Sequence, residues 1–146
     1  MWLALIATGW LMLKPRLHEE QPALSVVLHL TLALPFVALA RLFLVNDTSV
    51  MHVAAFGGED LPLKYRFAAT WAAREGPLLM WLGWMSLVAW LWRRPLPGEA
   101  EATVDAQATR LRLMHLMSLT LLLIAFSLDP FKKTPVSYTH LTLPTT

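Results

Sequence analysis

Cysteine is missing from all 146 residues. Disulfides, thiolate metal sites and covalent haem attachment through a C-x-x-C-H run are thereby excluded, so the chain is not itself a c-type cytochrome. Charge is scarce as well. Only 15% of the residues are Asp, Glu, Lys or Arg, whereas a soluble domain carries about a quarter. The net charge of +2 is scattered rather than gathered into a patch, so no nucleic-acid partner is expected. A Gly-rich phosphate loop, an H-E-x-x-H pair and a Ser/His/Asp set are all absent. A catalytic site contained wholly within these residues is therefore not expected.

What the chain has in plenty is apolar surface. Hydrophobic residues make up 56% of it, with a mean hydropathy of +0.50. Four uncharged runs stand out, at 1–13, 21–40, 76–92 and 113–128. A spanning helix needs about 20 apolar residues, with roughly 17 as the lower limit. The second and third runs qualify directly. The fourth qualifies once Arg110 and Arg112 snorkel to the headgroups, and the first needs residues through His18 or others upstream. Its charges, Lys14 and Arg16, follow the apolar run, unlike those of a signal peptide. The expected fold is an all-α polytopic transmembrane bundle of about four spanning helices. These lie near 1–18, 21–45, 76–92 and 110–128, surrounded by membrane lipid, with loops at 46–75 and 93–109.

Local signals refine that frame. Pro35 falls inside the second segment, where it removes a backbone donor and should kink the helix. Thr48 to Val53 is β-branched enough for an extended strand, Gly57-Gly58-Glu59-Asp60 signals a turn, and 63–73 has helical character. Gly76 suits an N-cap and Pro77 the first helical position, where its missing N–H costs nothing. Glu75 sets negative charge beside the positive end of that helix. Trp71 and Trp81 flank this end of the third segment, and Trp90 and Trp92 mark the other, in the manner of two aromatic belts. Ala and Glu residues before 110 are expected to extend the last helix into water. Basic residues divide six against six between the two sides, so the positive-inside rule gives no orientation.

The stretch FLVNDTSVMHVAAFGGEDLPLKYRFAATWAAREGPLLMWLGWMSLVAWLW resembles the N-terminal region of the cytochrome c-type biogenesis haem lyases, the CcmF/CycK/NrfE family. The resemblance is carried by Val45, Asn46, Asp47, Val50, Val53 and Ala54, then by Leu61, Pro62, Tyr65 and Arg66. A third block contains Trp71, Glu75, Gly76, Leu78, Leu79 and Trp81. Asp129-Pro130-Phe131 is similar to an Asn-Pro-Phe that follows the family's next membrane helix. His52 stands where tyrosine is common, Ala72 for glycine, Arg74 for histidine, Pro77 for serine and Met80 for leucine.

The resemblance implies a subunit of the cytochrome c maturation machinery, multi-pass in the bacterial inner membrane. It implies loop 46–75 on the periplasmic side and 93–109 in the cytoplasm. Its cofactor would be haem, carried by the longer parent. Its partners would be a haem carrier protein, apocytochrome c and thiol-reducing maturation subunits. The family's Trp-rich haem-handling segment has no counterpart here, so no catalytic, haem-binding or metal residue is carried over, and the chain reads as a fragment of residues 1–135. Asn46, Asp47, Leu61, Pro62, Tyr65, Trp71, Glu75, Gly76 and Trp81 are expected to have structural or interface roles. The tail VSYTHLTLPTT, residues 136–146, reverse-translates into a common transposon-library adapter and is expected to be non-native.

Ordinary readings compete with sharper ones. His29 and His115 lie within membrane segments, where haem ligation is one reading and a neutral helix–helix hydrogen bond the favoured one. His18 and His52 read as surface loop residues, having no partners at metal-ligand spacing. Trp81 and Trp84 share a helix face and could wall a haem or quinone site, although anchoring and packing suffice. Glu75 could act with Arg74, and Arg41 could pair with Asp47 or Glu75, but snorkelling explains Arg41 more simply. The alternative function is a small polytopic membrane protein with a structural or transport role.

Overall fold

The computed structural model describes residues 1–72, 74–94 and 104–135. Every regular element among them is a helix: α1 (Trp2–Leu13), α2 (Leu17–Glu20), α3 (Pro22–Leu44), α4 (Met51–Phe56), α5 (Leu63–Ala69), α6 (Glu75–Leu91) and α7 (Val104–Leu128). The four long helices close a ring in which α3 packs on α6, α6 on α7, α7 on α1 and α1 on α3. The short helices α4 and α5 form a cap over one end.

Burial on α3 repeats at helical spacing, through Ser25, His29, Leu32, Pro35, Leu39 and Phe43. The matching stripe on α7 runs through Gln107, Leu111, His115, Ser118, Leu122 and Ala125. Both stripes face the middle of the ring. One core layer joins Ala4, Ala7 and Leu11 of α1 to Leu32, Leu82 and Leu122. The second, beneath the cap, joins Leu39, Phe43, Val50, Val53, Leu79 and Ala125. Small residues let helices approach closely, as membrane bundles require in the absence of a hydrophobic drive between helices. At Gly83, Ala33 lies directly opposite on α3, 3.7 Å from where a side chain would begin.

Two helices, Pro22–Leu44 and Asp105–Leu128, are long and apolar enough to cross a membrane. Only 28% of the most apolar stretch of each is buried, so their greasy outer faces lack protein cover, unlike the core helix of a soluble domain. The other two are shorter, at 12 residues for α1 and 17 for α6. Instead of running on to His18, α1 stops at Leu13, and Pro15 separates it from the single turn of α2. Helix α3 continues on both sides of Pro35, whose ring is buried. Helix α6 starts at Glu75 with Arg74 at its N-cap, two residues earlier than the expected Gly76 cap, which leaves Pro77 in the first turn where no intrahelical donor is needed. Helix α7 begins at Val104, so its apolar part does gain an N-terminal extension.

The expected strand at 48–53 does not form. Residues from Met51 onward turn into α4, and only Val50 makes an antiparallel bridge, to Lys133. β-branched residues mark a pleated, half-buried surface rather than an intrinsic backbone choice, and a partner strand is absent among the described residues. Residues 95–103 and the tail 136–146 lie outside the described residues.

Candidate functional site

The cap gathers most of the residues singled out from the sequence, and its geometry begins at the end of α3. Asn46 adopts a left-handed backbone with φ 53°. Asparagine tolerates this conformation better than almost any residue except glycine. The turn sends the chain back over α3, and the Asp47 amide donates to the Leu42 carbonyl at 2.9 Å. Ser49 fixes the Asp47 carboxylate, its backbone N–H donating at 3.1 Å. Bonding from the Ser49 hydroxyl and amide holds that carboxyl below its ordinary range. Asp129 repeats the device at the end of α7, with φ 48°.

Arg66 of α5 then ties the cap together. Its guanidinium donates to the carbonyls of Leu61 at 2.9 Å, Leu44 at 3.3 Å and Glu59. Leu44 is the last residue of α3, so one side chain holds the helix end and the Gly57–Leu61 turn in register. Charged donors of this kind contribute about 1.5–3 kcal/mol each, and only the planar fork of arginine reaches three acceptors at once. Pro62 caps the start of α5. Leu61 packs over Gly58 at 3.4 Å from the position a Cβ would take.

The return to α6 is the tightest point. A Cβ on Gly76 would fall 1.7 Å from the Thr70 carbonyl oxygen, so only glycine fits. Trp71 is held beside this contact: its indole N–H donates to the Met80 sulfur at 3.3 Å, and its ring meets Phe36 and Phe67 edge-on. Glu75 points inward to His52 rather than to Arg74 or Arg41, with its Oε2 3.8 Å from His52 Nδ1. Arg41 is exposed and forms no ion pair among the described residues.

His52 corrects the surface reading. It is buried, its ring standing edge-on to Phe43 and Phe56, because α4 presents it to the bundle as a strand would not. Burial pushes its pKa below the ordinary histidine value, and the Glu75 carboxylate partly opposes that. Among the described residues, four buried polar atoms in this cap lack a hydrogen-bond partner: Asn46 Oδ1, His52 Nε2, Thr70 Oγ1 and Glu75 Oε2. Such a concentration marks a place where packing tolerates strain or a partner adds what is missing. His18, also expected at the surface, is mostly covered and lies 3.7 Å from Glu19.

Two expected site residues stand apart. Tyr65 is exposed with Lys64 over its ring, and Trp81 faces outward from α6. The structure therefore joins Asn46, Asp47, Leu61, Pro62, Trp71, Glu75 and Gly76 in one cap and leaves Tyr65 and Trp81 on its outside.

A second polar feature lies deep in the ring. His29 and His115 meet across its diagonal, rings edge-on with centroids 5.4 Å apart, although α3 and α7 otherwise barely touch. His29 donates from Nδ1 to the Ser25 carbonyl at 2.7 Å within its own helix. The favoured helix–helix hydrogen bond from a neutral histidine ring is not seen among the described residues, where His29 Nε2 and His115 Nδ1 lack a partner. Ser86 supplies one instead, its hydroxyl donating to the His29 carbonyl at 2.8 Å. No group of three or more His, Cys, Asp or Glu residues is arranged to hold a metal among the described residues.

Comparison with characterised proteins fits these features. The chain is 37% identical over 124 residues to cytochrome c-type biogenesis protein CcmF of Escherichia coli K12, covering 82% of the chain and 18% of that protein. It is 36% identical over 110 residues to CcmF of Haemophilus influenzae, covering 71% of the chain and 16% of the relative. The chain belongs with the CcmF and NrfE cytochrome c-type biogenesis proteins. NrfE of Haemophilus influenzae is 37% identical over 91 residues, covering 62% of the chain and 14% of that relative. The chain thus spans less than a fifth of the length of these CcmF and NrfE relatives. No family model matches the sequence, and no solved structure matches the fold.

Proposed function

We propose that this chain is a membrane scaffold of a haem lyase, the protein that delivers haem to apocytochrome c during cytochrome c maturation. In this reading α1, α3, α6 and α7 all span the inner membrane. The cap at 46–75 stands on the periplasmic side as a docking face for the haem carrier, apocytochrome c and thiol-reducing subunits, and 93–109 is cytoplasmic. Haem is bound by the longer parent. The roles visible in this chain are positional: Arg66, Gly76, Trp71 and the Asn46 turn hold the cap at a fixed height on the bundle.

The observation that carries this reading is the coincidence of two independent facts. The chain resembles CcmF over 124 residues, and most of the motif positions singled out in the sequence, though not Tyr65 and Trp81, gather in one cap. The test is a chimera in which the matching 124 residues of the Escherichia coli protein are replaced by those of this chain. Covalent haem in c-type cytochromes, read by in-gel peroxidase staining, is expected to recover in a strain lacking its own copy. A chimera that inserts into the membrane yet leaves cytochromes without haem defeats the proposal. Topology has its own readout, because the chain has no cysteine. Single cysteines replacing Lys64 and Asp105 are expected to react with a membrane-impermeant maleimide in intact cells at Lys64 only.

A further inference from the structure

An aromatic-walled groove of about 690 Å³ runs between α3 and α6, on the face of the ring away from α1. Its floor is the close crossing of Ala33 and Gly83, and its rims include Leu30, Trp84 and Trp90. Leu30 is 62% exposed and Trp84 52%, so none of the described residues covers this face. Along α3 the groove extends from Val26 to Phe36, a rise of about 15 Å at 1.5 Å per residue. That is the depth of one leaflet, half of a hydrocarbon core about 30 Å thick.

The two ends of the groove differ. At the cap end it is closed by the edge-to-face cluster of Phe36, Trp71 and Phe67, whose centroids are 5.0–5.5 Å apart. Towards the other end Trp90 forms the wall, and the Arg93 guanidinium lies 3.8 Å from its ring centroid. Arg93 is tethered there by donating to the Trp90 carbonyl, and Arg94 follows it, exposed. A seat for a further helix would have to continue along the bundle, but this groove stops at an aromatic wall after one leaflet. An apolar channel, closed by aromatic rings at one end and bordered at the other by Trp90 with two arginines just beyond it, matches one acyl chain attached to an anionic head.

We propose that the α3–α6 groove is a binding site for a membrane phospholipid. One tail lies over Ala33 and Gly83, and the phosphate sits at Arg93 and Arg94. The assignment rests on the membrane placement of α3 and α6 and is independent of the maturation role. Each arginine near a membrane surface favours an anionic lipid by about 1 kcal/mol, or roughly fivefold. A neutral head would forgo that preference while keeping the tail contacts.

The test is native mass spectrometry of the full chain in mild detergent, with equal amounts of dioleoyl phosphatidylglycerol and dioleoyl phosphatidylcholine added. One phosphatidylglycerol adduct, favoured about fivefold or more over phosphatidylcholine, is expected to survive collisional activation. Leu30→Trp fills the groove without touching the Ala33–Gly83 crossing and is expected to remove the adduct. Arg93→Gln with Arg94→Gln should keep an adduct but lose the preference. Equal retention by the wild type and Leu30→Trp would show annular lipid alone and overturn the proposal. So would a wild-type dimer that Leu30→Trp dissociates, which would give the groove to a second copy. A chain that stays soluble without detergent would defeat the membrane reading itself, not merely the lipid site.

Discussion

Substituting alanine for Gly76 adds one methyl group at the tightest contact in the cap. The new Cβ would lie 1.7 Å from the Thr70 carbonyl oxygen and 2.8 Å from its carbon. Real Cβ atoms essentially never approach closer than 3.0 Å, so the two backbones must part by at least the 1.3 Å difference. Neither side can give cheaply, since the obstacle is main chain rather than the end of a flexible side chain. Opening the contact shifts the first turn of α6, and with it Glu75 beneath His52 and Met80 beneath Trp71. Overpacking against backbone belongs to the costly tail of point substitutions, about 3 kcal/mol or more. For a chain of this size that corresponds to a fall in melting temperature of about 10 °C. The assay is thermal unfolding in detergent, with Gly9→Ala as control. At Gly9 nothing lies within 4 Å of the position a methyl group would take, and alanine there should be neutral or stabilise α1 by up to about 1 kcal/mol. If Gly76→Ala melts within about 2 °C of wild type, a shift worth well under 1 kcal/mol, the close approach of Thr70 and α6 is wrong.

Other outcomes follow from the same geometry. Arg66→Lys should lose at least two of the three carbonyl bonds and speed hydrogen exchange across the Gly57–Leu61 turn, at a cost of about 2 kcal/mol or more; unchanged exchange there would refute the clamp. Asn46→Gly should be tolerated, whereas Asn46→Val should lower stability by about 1–2 kcal/mol, because a β-branched residue resists the left-handed backbone; equal melting temperatures for the two variants would contradict the φ of 53°. Burial depresses the His52 pKa below 6.5. The unfolded chain therefore binds the proton first as pH falls, and stability contributed by neutral His52 is present above about 6.5 and drains away below it. Protection of the α4 amides, with exchange corrected for its intrinsic rate at each pH, should accordingly fall as pH falls from about 7.5 to about 5.5 in the wild type and lose that dependence in His52→Phe.

Much of this architecture can be read from the residues, and the failures have identifiable causes. Long apolar runs locate the four principal helices to within a few residues, except where polar extensions or Pro15 move an end. The cap is legible mainly as a set of family-like positions, because nothing local announces that Arg66 will reach back to Leu44, 22 residues away. A strand reading turns His52 outward, whereas one turn of helix turns it in. The meeting of His29 and His115 escapes the sequence reading although a signal for it exists. On α3 the histidine lies in register with Ser25 and Leu32, and on α7 with Leu111, Ser118 and Leu122, at spacings of three and four. Small and polar residues sharing a stripe with buried leucines mark an inward face in a bundle surrounded by lipid. Hydropathy alone gives such positions no direction.

The bridge between Val50 and Lys133 has a mechanical side. The Met51 amide donates to the Lys132 carbonyl and the Thr134 amide to the Ser49 carbonyl, each at 2.8 Å, and the Thr134 hydroxyl donates to the Thr48 carbonyl at 2.7 Å. These bonds buckle the chain leaving α7 to the chain entering α4, and α4 carries His52 down onto Glu75. A pull on the backbone after α7 would therefore load the buckle in shear, several bonds at once, before it reached either helix. The cap would tilt as a plate hinged at Asn46 and Asp129, the two left-handed residues on either side of the seam.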